Sequence, residues 1–108
     1  MSKIVLEQLG NFAVVRHVAD SIAALLKPER IYLYNQKLNC KGEFTSFKLC
    51  VVGDFADKQK AEQTLYWEID SDLPFDVQLY TPREWEELSE KPNAFARHIK
   101  NTGTIVHE

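Results

Sequence analysis

Apolar residues in the first quarter of the chain recur at steps of three and four: Ile4 and Val5, Leu9, Phe12, Val15, Ala19, Ile22, then Leu25 and Leu26. With 3.6 residues to a turn, that spacing lays one apolar stripe along a helix over residues 3–27. Pro28 ends it, and Gly10-Asn11 interrupts it, the glycine costing about 1 kcal/mol against alanine, so the N-terminal turns are expected to be offset or frayed. The period then changes. Ile31-Tyr32-Leu33-Tyr34 is a β-branched and aromatic run that predicts a strand, and the polar residues 35–43, with Gly42 as a turn residue, predict a loop. Across residues 44–52, Phe47, Leu49 and Val51 fall on one side while Cys50 and Val52 make the other side apolar as well. That pattern suits a central strand covered on both faces.

Ala61, Leu65 and Ile69 step by four with Lys58, Lys60, Glu62 and Glu68 outside them, so residues 56–69 predict a second amphipathic helix, capped by Asp54 or Asp57. Phe75-Asp76-Val77-Gln78-Leu79-Tyr80 alternates strictly, Phe75, Val77 and Leu79 inward, which predicts a third strand with Pro74 at its start. Thr81-Pro82-Arg83-Glu84 combines an N-cap hydroxyl, a proline at the first helical position and a carboxylate at the third, a full capping box. Trp85 and Leu88 supply that helix with an inner face. Pro92 breaks it, a further helix restarts over residues 93–101 on Phe95 and Ile99, Gly103 stops it, and Thr104-Ile105-Val106-His107 predicts a short last strand. The expected fold class is α/β (α+β): a small mixed sheet flanked by helices, one domain over residues 1–108, its N-terminal helix at 1–27 and the sheet with its covering helices at 31–107.

Composition narrows the classes of function. The 108 residues are 44% apolar and 27% charged, ordinary for a folded chain that buries a core. With 13 basic and 16 acidic residues the formal charge is -3, so no bulk positive field draws a phosphate backbone and nucleic acid is not an expected partner. The longest apolar runs fall far short of a membrane span, and Met1-Ser2-Lys3-Ile4 lacks a signal-peptide profile. A cytoplasmic protein with no membrane partner is expected. Cys40 and Cys50 lack CxxC spacing and are read as reduced thiols, Cys50 as a small buried hydrophobe. His17, His98 and His107 lie far apart with no i, i+4 companion, so they are read as surface residues and no metal site is expected from them. Trp67, beside Tyr66, is read as a tryptophan at the edge of the core, with an exposed interface anchor as the alternative.

From Pro28 onward the order of segments and the local words resemble the minimal nucleotidyltransferase domains, small members of the DNA-polymerase-β-like nucleotidyltransferase superfamily. In that family a strand runs into a Gly-Ser loop, a second strand carries Asp-x-Asp, and a later strand carries a third carboxylate. Here residues 31–34 resemble the first strand, residues 44–52 the second, and Asp76 in Pro74-Phe75-Asp76-Val77 the third-carboxylate position. The run Leu79-Tyr80-Thr81-Pro82-Arg83-Glu84-Trp85-Glu86-Glu87-Leu88, then residues 99–103 and a short strand, is similar to how these domains finish.

Where the family has Gly-Ser this chain has Asn35-Gln36, the nucleotide-binding position by resemblance, without the glycine that lets backbone amides approach a triphosphate. Where the family has Asp-x-Asp it has Ser46-Phe47-Lys48. Hard divalent ions take carboxylate oxygens, serine is a poor substitute, and an ammonium adds repulsion where negative charge is needed. Residues 35–52 contain a single carboxylate, Glu43, and no Asp, so no shift of alignment restores the motif. The degenerate positions Ser46, Lys48 and Asp76 thus imply a nucleotidyltransferase-like protein without catalysis and without a cofactor, acting as a binding or partner-interaction module. The resemblance adds a HEPN-type helical protein partner, as in toxin-antitoxin pairs; a homodimer is the other partner expected. The alternative is a divergent active nucleotidyltransferase using Mg2+ and an NTP through Asp76 and a recruited Glu43, or a nucleotide-sensing scaffold. Lys48 is read either as a strand lysine whose stem covers apolar surface or as an ion-pair partner of Asp76 that replaces the metal's charge.

Overall fold

A computed structural model of the chain describes residues 12–108. Its elements run α1 (Phe12–Leu26), β1 (Arg30–Leu38), β2 (Phe44–Val52), α2 (Lys58–Glu68), β3 (Phe75–Tyr80), α3 (Pro82–Ser89), α4 (Phe95–Thr102) and β4 (Thr104–His107). Ile4, Val5, Leu9 and the Gly10-Asn11 interruption lie outside the described residues. The fold is mixed α+β. Four strands form one sheet in the order β3-β2-β1-β4, with β1 antiparallel to β2 and to β4 and β2 parallel to β3.

Because side chains alternate across a strand, each face of β2 meets a different set of helices. On one face Phe47, Leu49 and Val51 join Ile31, Leu33, Val77 and Leu79 of the neighbouring strands under α1, through Val15, Val18, Ala19 and Ile22, and under α2, through Leu65. On the other, Tyr32, Cys50, Val52 and Tyr80 pack beneath Trp85 of α3 and Ala96 and Ile99 of α4. From Leu49 to Val52, β2 is thus the central strand covered on both faces that its doubly apolar pattern there predicts. The Trp85 ring stands 5.1 Å from Tyr32 and 5.5 Å from Tyr80, so one indole fastens α3 to two strands.

Caps follow the sequence closely. Thr81 accepts from the Glu84 N–H while the Glu84 carboxylate accepts from the Thr81 N–H, closing the capping box. Asp57, not Asp54, caps α2 by accepting from the Lys60 N–H. Both sheet edges are guarded. Along β3 the Val77 N–H donates to the Tyr66 hydroxyl at 3.0 Å, and along β4 the Val106 carbonyl accepts from Arg16 at 2.6 Å.

One expected boundary is wrong. Residues 35–38, read as loop, continue β1 past a bulge at Tyr34, where Leu33 faces Leu49 but Asn35 faces Lys48. The loop shrinks to residues 39–43. The Asn39 side chain organises it by accepting from the N–H groups of Lys41 and Glu43, and Gly42 takes the positive φ of 79° that its sharp reversal requires.

Candidate functional site

Residues that face each other across a ladder share a face of the sheet, so the register alone fixes which side chains meet. Lys48 stands opposite Asp76 on β3 and opposite Asn35 on β1, and Lys37 stands opposite Ser46. Ser46 and Lys48 are alternate residues of β2 and point the same way, about 6.6 Å apart along the strand, while Asp76 is one strand spacing away, about 4.8 Å. The structure therefore gathers Ser46, Lys48 and Asp76, the three positions singled out in the sequence, at one end of one face.

That end lies beyond the cover of α3 and α4. Lys48, Asp76, Asn35 and Lys37 are exposed and Ser46 is half-buried. The boundary between the covered and open parts is Tyr34, whose ring meets Phe95 of α4 edge-on at 5.4 Å. Burial, reinforced by the nearby Cys50 thiol and the Asp76 carboxylate, pushes the Tyr34 phenol up to about 12. Tyr66 and Tyr80 are also raised, burial being the first cause for each. The phenols around the site therefore keep their protons at neutral pH.

Two expectations about this site need correcting. Asn35 and Gln36, the nucleotide-binding position by resemblance, were expected in a loop, but both belong to β1. Gln36 faces Phe47 and so points to the opposite side of the sheet, which leaves Asn35 alone beside Lys48. The expected ion pair between Lys48 and Asp76 is not formed. Ion pairs among the described residues join Arg16 to Asp20, Lys58 to Glu84, Arg83 to Glu87 and Lys100 to Glu90. The register does bring Lys48 and Asp76 opposite one another. Both are exposed, where an ion pair is worth at most about 1 kcal/mol, so leaving this one unmade costs the fold little.

A hydroxyl, an ammonium and a single carboxylate do not fit a magnesium ion, which takes oxygen ligands in near-octahedral geometry. Among the described residues no three of His, Cys, Asp or Glu come together as a metal site. Glu43, the other carboxylate within reach by sequence, sits in the β1–β2 turn five residues before Lys48, about 16 Å along the strand. Its Oε1 accepts there from Asn39 at 3.2 Å.

What this end of the sheet can do without a metal is bind. Two lysines, an asparagine amide and a hydroxyl offer donors to an anionic or carbonyl-bearing group, and Asp76 offers an acceptor beside them. Sequence reasoning missed Tyr34 as the wall of the site, because no pattern of residues announces a bulge. It also placed Trp67 at the edge of the core, whereas that side chain is 86% exposed. No protein-family model matches the chain, and no curated protein matches it. No helix among the described residues is long and apolar enough to cross a membrane.

Proposed function

We propose that the chain is a nucleotidyltransferase-like protein of the cytoplasm that has lost transfer chemistry and works as a binding module with a protein partner, a HEPN-type helical protein being the kind the sequence resemblance implies. One observation carries the reading: Lys48 lies in register with Asp76, an ammonium where two-metal phosphoryl transfer needs a second carboxylate. The competing reading, a divergent enzyme that recruits Glu43, is disfavoured by the β1–β2 turn, where Asn39 engages that carboxylate.

Calorimetric titration with ATP, GTP, CTP and UTP, each with and without Mg2+, tests the proposal. No magnesium-dependent heat is the expected result. Micromolar binding that requires Mg2+ and disappears in Asp76→Ala would overturn it and restore the enzyme reading, while absence of heat with every nucleotide would also retire a sensing role.

A further inference from the structure

The outward face of α2 lies on the other side of the sheet from the Ser46, Lys48 and Asp76 site. Lys60, Gln63, Thr64, Trp67 and Glu68 line a shallow groove there, together with Tyr66. Trp67 is 86% exposed, and no aromatic contact holds its indole among the ring pairs of the described residues. A tryptophan left in water forgoes the largest hydrophobic gain of any side chain, and tryptophan is the residue most enriched at interface centres.

The charges on this face point to what covers it. Lys60, Thr64 and Glu68 form an i, i+4, i+8 ridge, with the cation and the anion each four residues from Thr64 and about 12 Å from one another. Among the described residues neither Lys60 nor Glu68 belongs to an ion pair. A two-fold axis passing at Thr64, perpendicular to the helix, therefore sets Lys60 of one copy against Glu68 of the other, twice over. The short Thr64 side chains would allow close approach in that arrangement, and each Trp67 would lie against the Lys60 stem and Thr64 of its mate. A face with one charge of each sign, placed symmetrically about a small residue, is complementary to itself.

We propose that α2 is a homodimerisation surface, packing antiparallel on α2 of a second copy of this chain with Trp67 as its anchor. The proposal is independent of the reading of the Ser46, Lys48 and Asp76 site, since Lys60, Trp67 and Glu68 take no part in it. An 11-residue helix is about 16 Å long, so the interface falls in the small, transient class. The dimer forms reversibly as concentration rises and weakens with salt.

Sedimentation equilibrium on the full chain, from micromolar to about millimolar concentration, tests it. The wild-type chain dimerises, and Trp67→Ala weakens the dimer by at least about tenfold, with an unchanged circular dichroism spectrum because the exposed indole supports no core. The decisive arms are K60E and E68K. Alone, each places like charges opposite one another and sediments as a monomer, whereas an equimolar mixture restores both opposite-charge contacts and dimerises. A wild-type chain that stays monomeric throughout overturns the proposal. So does a dimer indifferent to Trp67→Ala, or a mixture of K60E and E68K that remains monomeric.

Discussion

Cys50 has no solvent exposure and sits in the cluster with Tyr32, Tyr80 and Trp85, where burial pushes its thiol from an ordinary 9.0 up to about 12. The folded chain thus keeps this proton over a range where the unfolded chain gives it up. For a group raised on folding, the stability contributed is whole below the unfolded value and is lost as pH climbs through the folded one. Tyr34, raised from 10.0 to about 12, acts with the same sign. The urea midpoint is expected to hold between about pH 7 and 8 and to fall progressively from about pH 9 toward 12, less steeply in Cys50→Ala. A thiol reagent offers a second check. Cys40 is exposed and Cys50 buried, so one thiol reacts at once in the native chain and the other only on unfolding, and two rapid equivalents would contradict the buried assignment.

At the scale of elements, the junction between α4 and β4 depends on one missing side chain. Gly103 was expected as a stop signal, but its φ is -75°, a conformation open to any residue, so left-handed geometry is not the reason glycine stands there. The reason is space. A Cβ at Gly103 would lie 2.7 Å from the Ile99 carbonyl oxygen and 3.4 Å from that of Leu33, the first of these well inside contact distance. Gly103→Ala is expected to cost about 1–3 kcal/mol in chemical denaturation, because backbone and not a flexible side chain must move. A variant as stable as the wild type would show that the junction yields. The same contrast between a pattern and its cause runs through the other elements. β2, β3, α2 and α3 were legible because each puts apolar side chains on a buried face at its own period, or carries a complete capping box. The end of β1 was not, since Asn35 and Lys37 lie on the uncovered end of the sheet, where strand residues have no apolar face to display. Trp67 was misplaced because aromatic residues are so often core, although a position 200° around the helix from buried Leu65 has to face outward. For the site, resemblance supplied what period could not. Neither Ser46 nor Lys48 stands out by pattern, and only the parallel pairing of β2 with β3 makes Asp76 their neighbour.

The whole molecule is a sheet covered along one face by α1 and α2 and along only part of the other by α3 and α4, so its polar strand residues collect where cover is missing. Whether the open positions could hold a metal, as the proposed likeness to a nucleotidyltransferase requires, is testable by placing carboxylates there. In the double variant S46D/K48D, two carboxylates would stand about 6.6 Å apart on β2 with Asp76 one strand spacing, about 4.8 Å, from the second. Those spacings suit the pair of divalent ions, about 3.5–4 Å apart, of a two-metal site. Without metal, three anions at one end of the sheet repel, and the double variant should melt below the wild-type chain. With Mg2+ it should recover, because an ion bound only by the folded state stabilises by RT ln(1 + [L]/Kd), about 2.7 kcal/mol at a hundredfold excess over Kd. The wild-type chain, with Lys48 in place, should melt at the same temperature in Mg2+ and in its absence. Thermal melts of both chains, in millimolar Mg2+ and in chelator, decide the matter. A double variant indifferent to Mg2+ would mean that the three positions do not converge on an ion, and the likeness to a nucleotidyltransferase scaffold would lose its chemical meaning. A rise in melting temperature confined to the double variant would show that the positions of Ser46, Lys48 and Asp76 converge closely enough to hold an ion, as the proposed likeness requires.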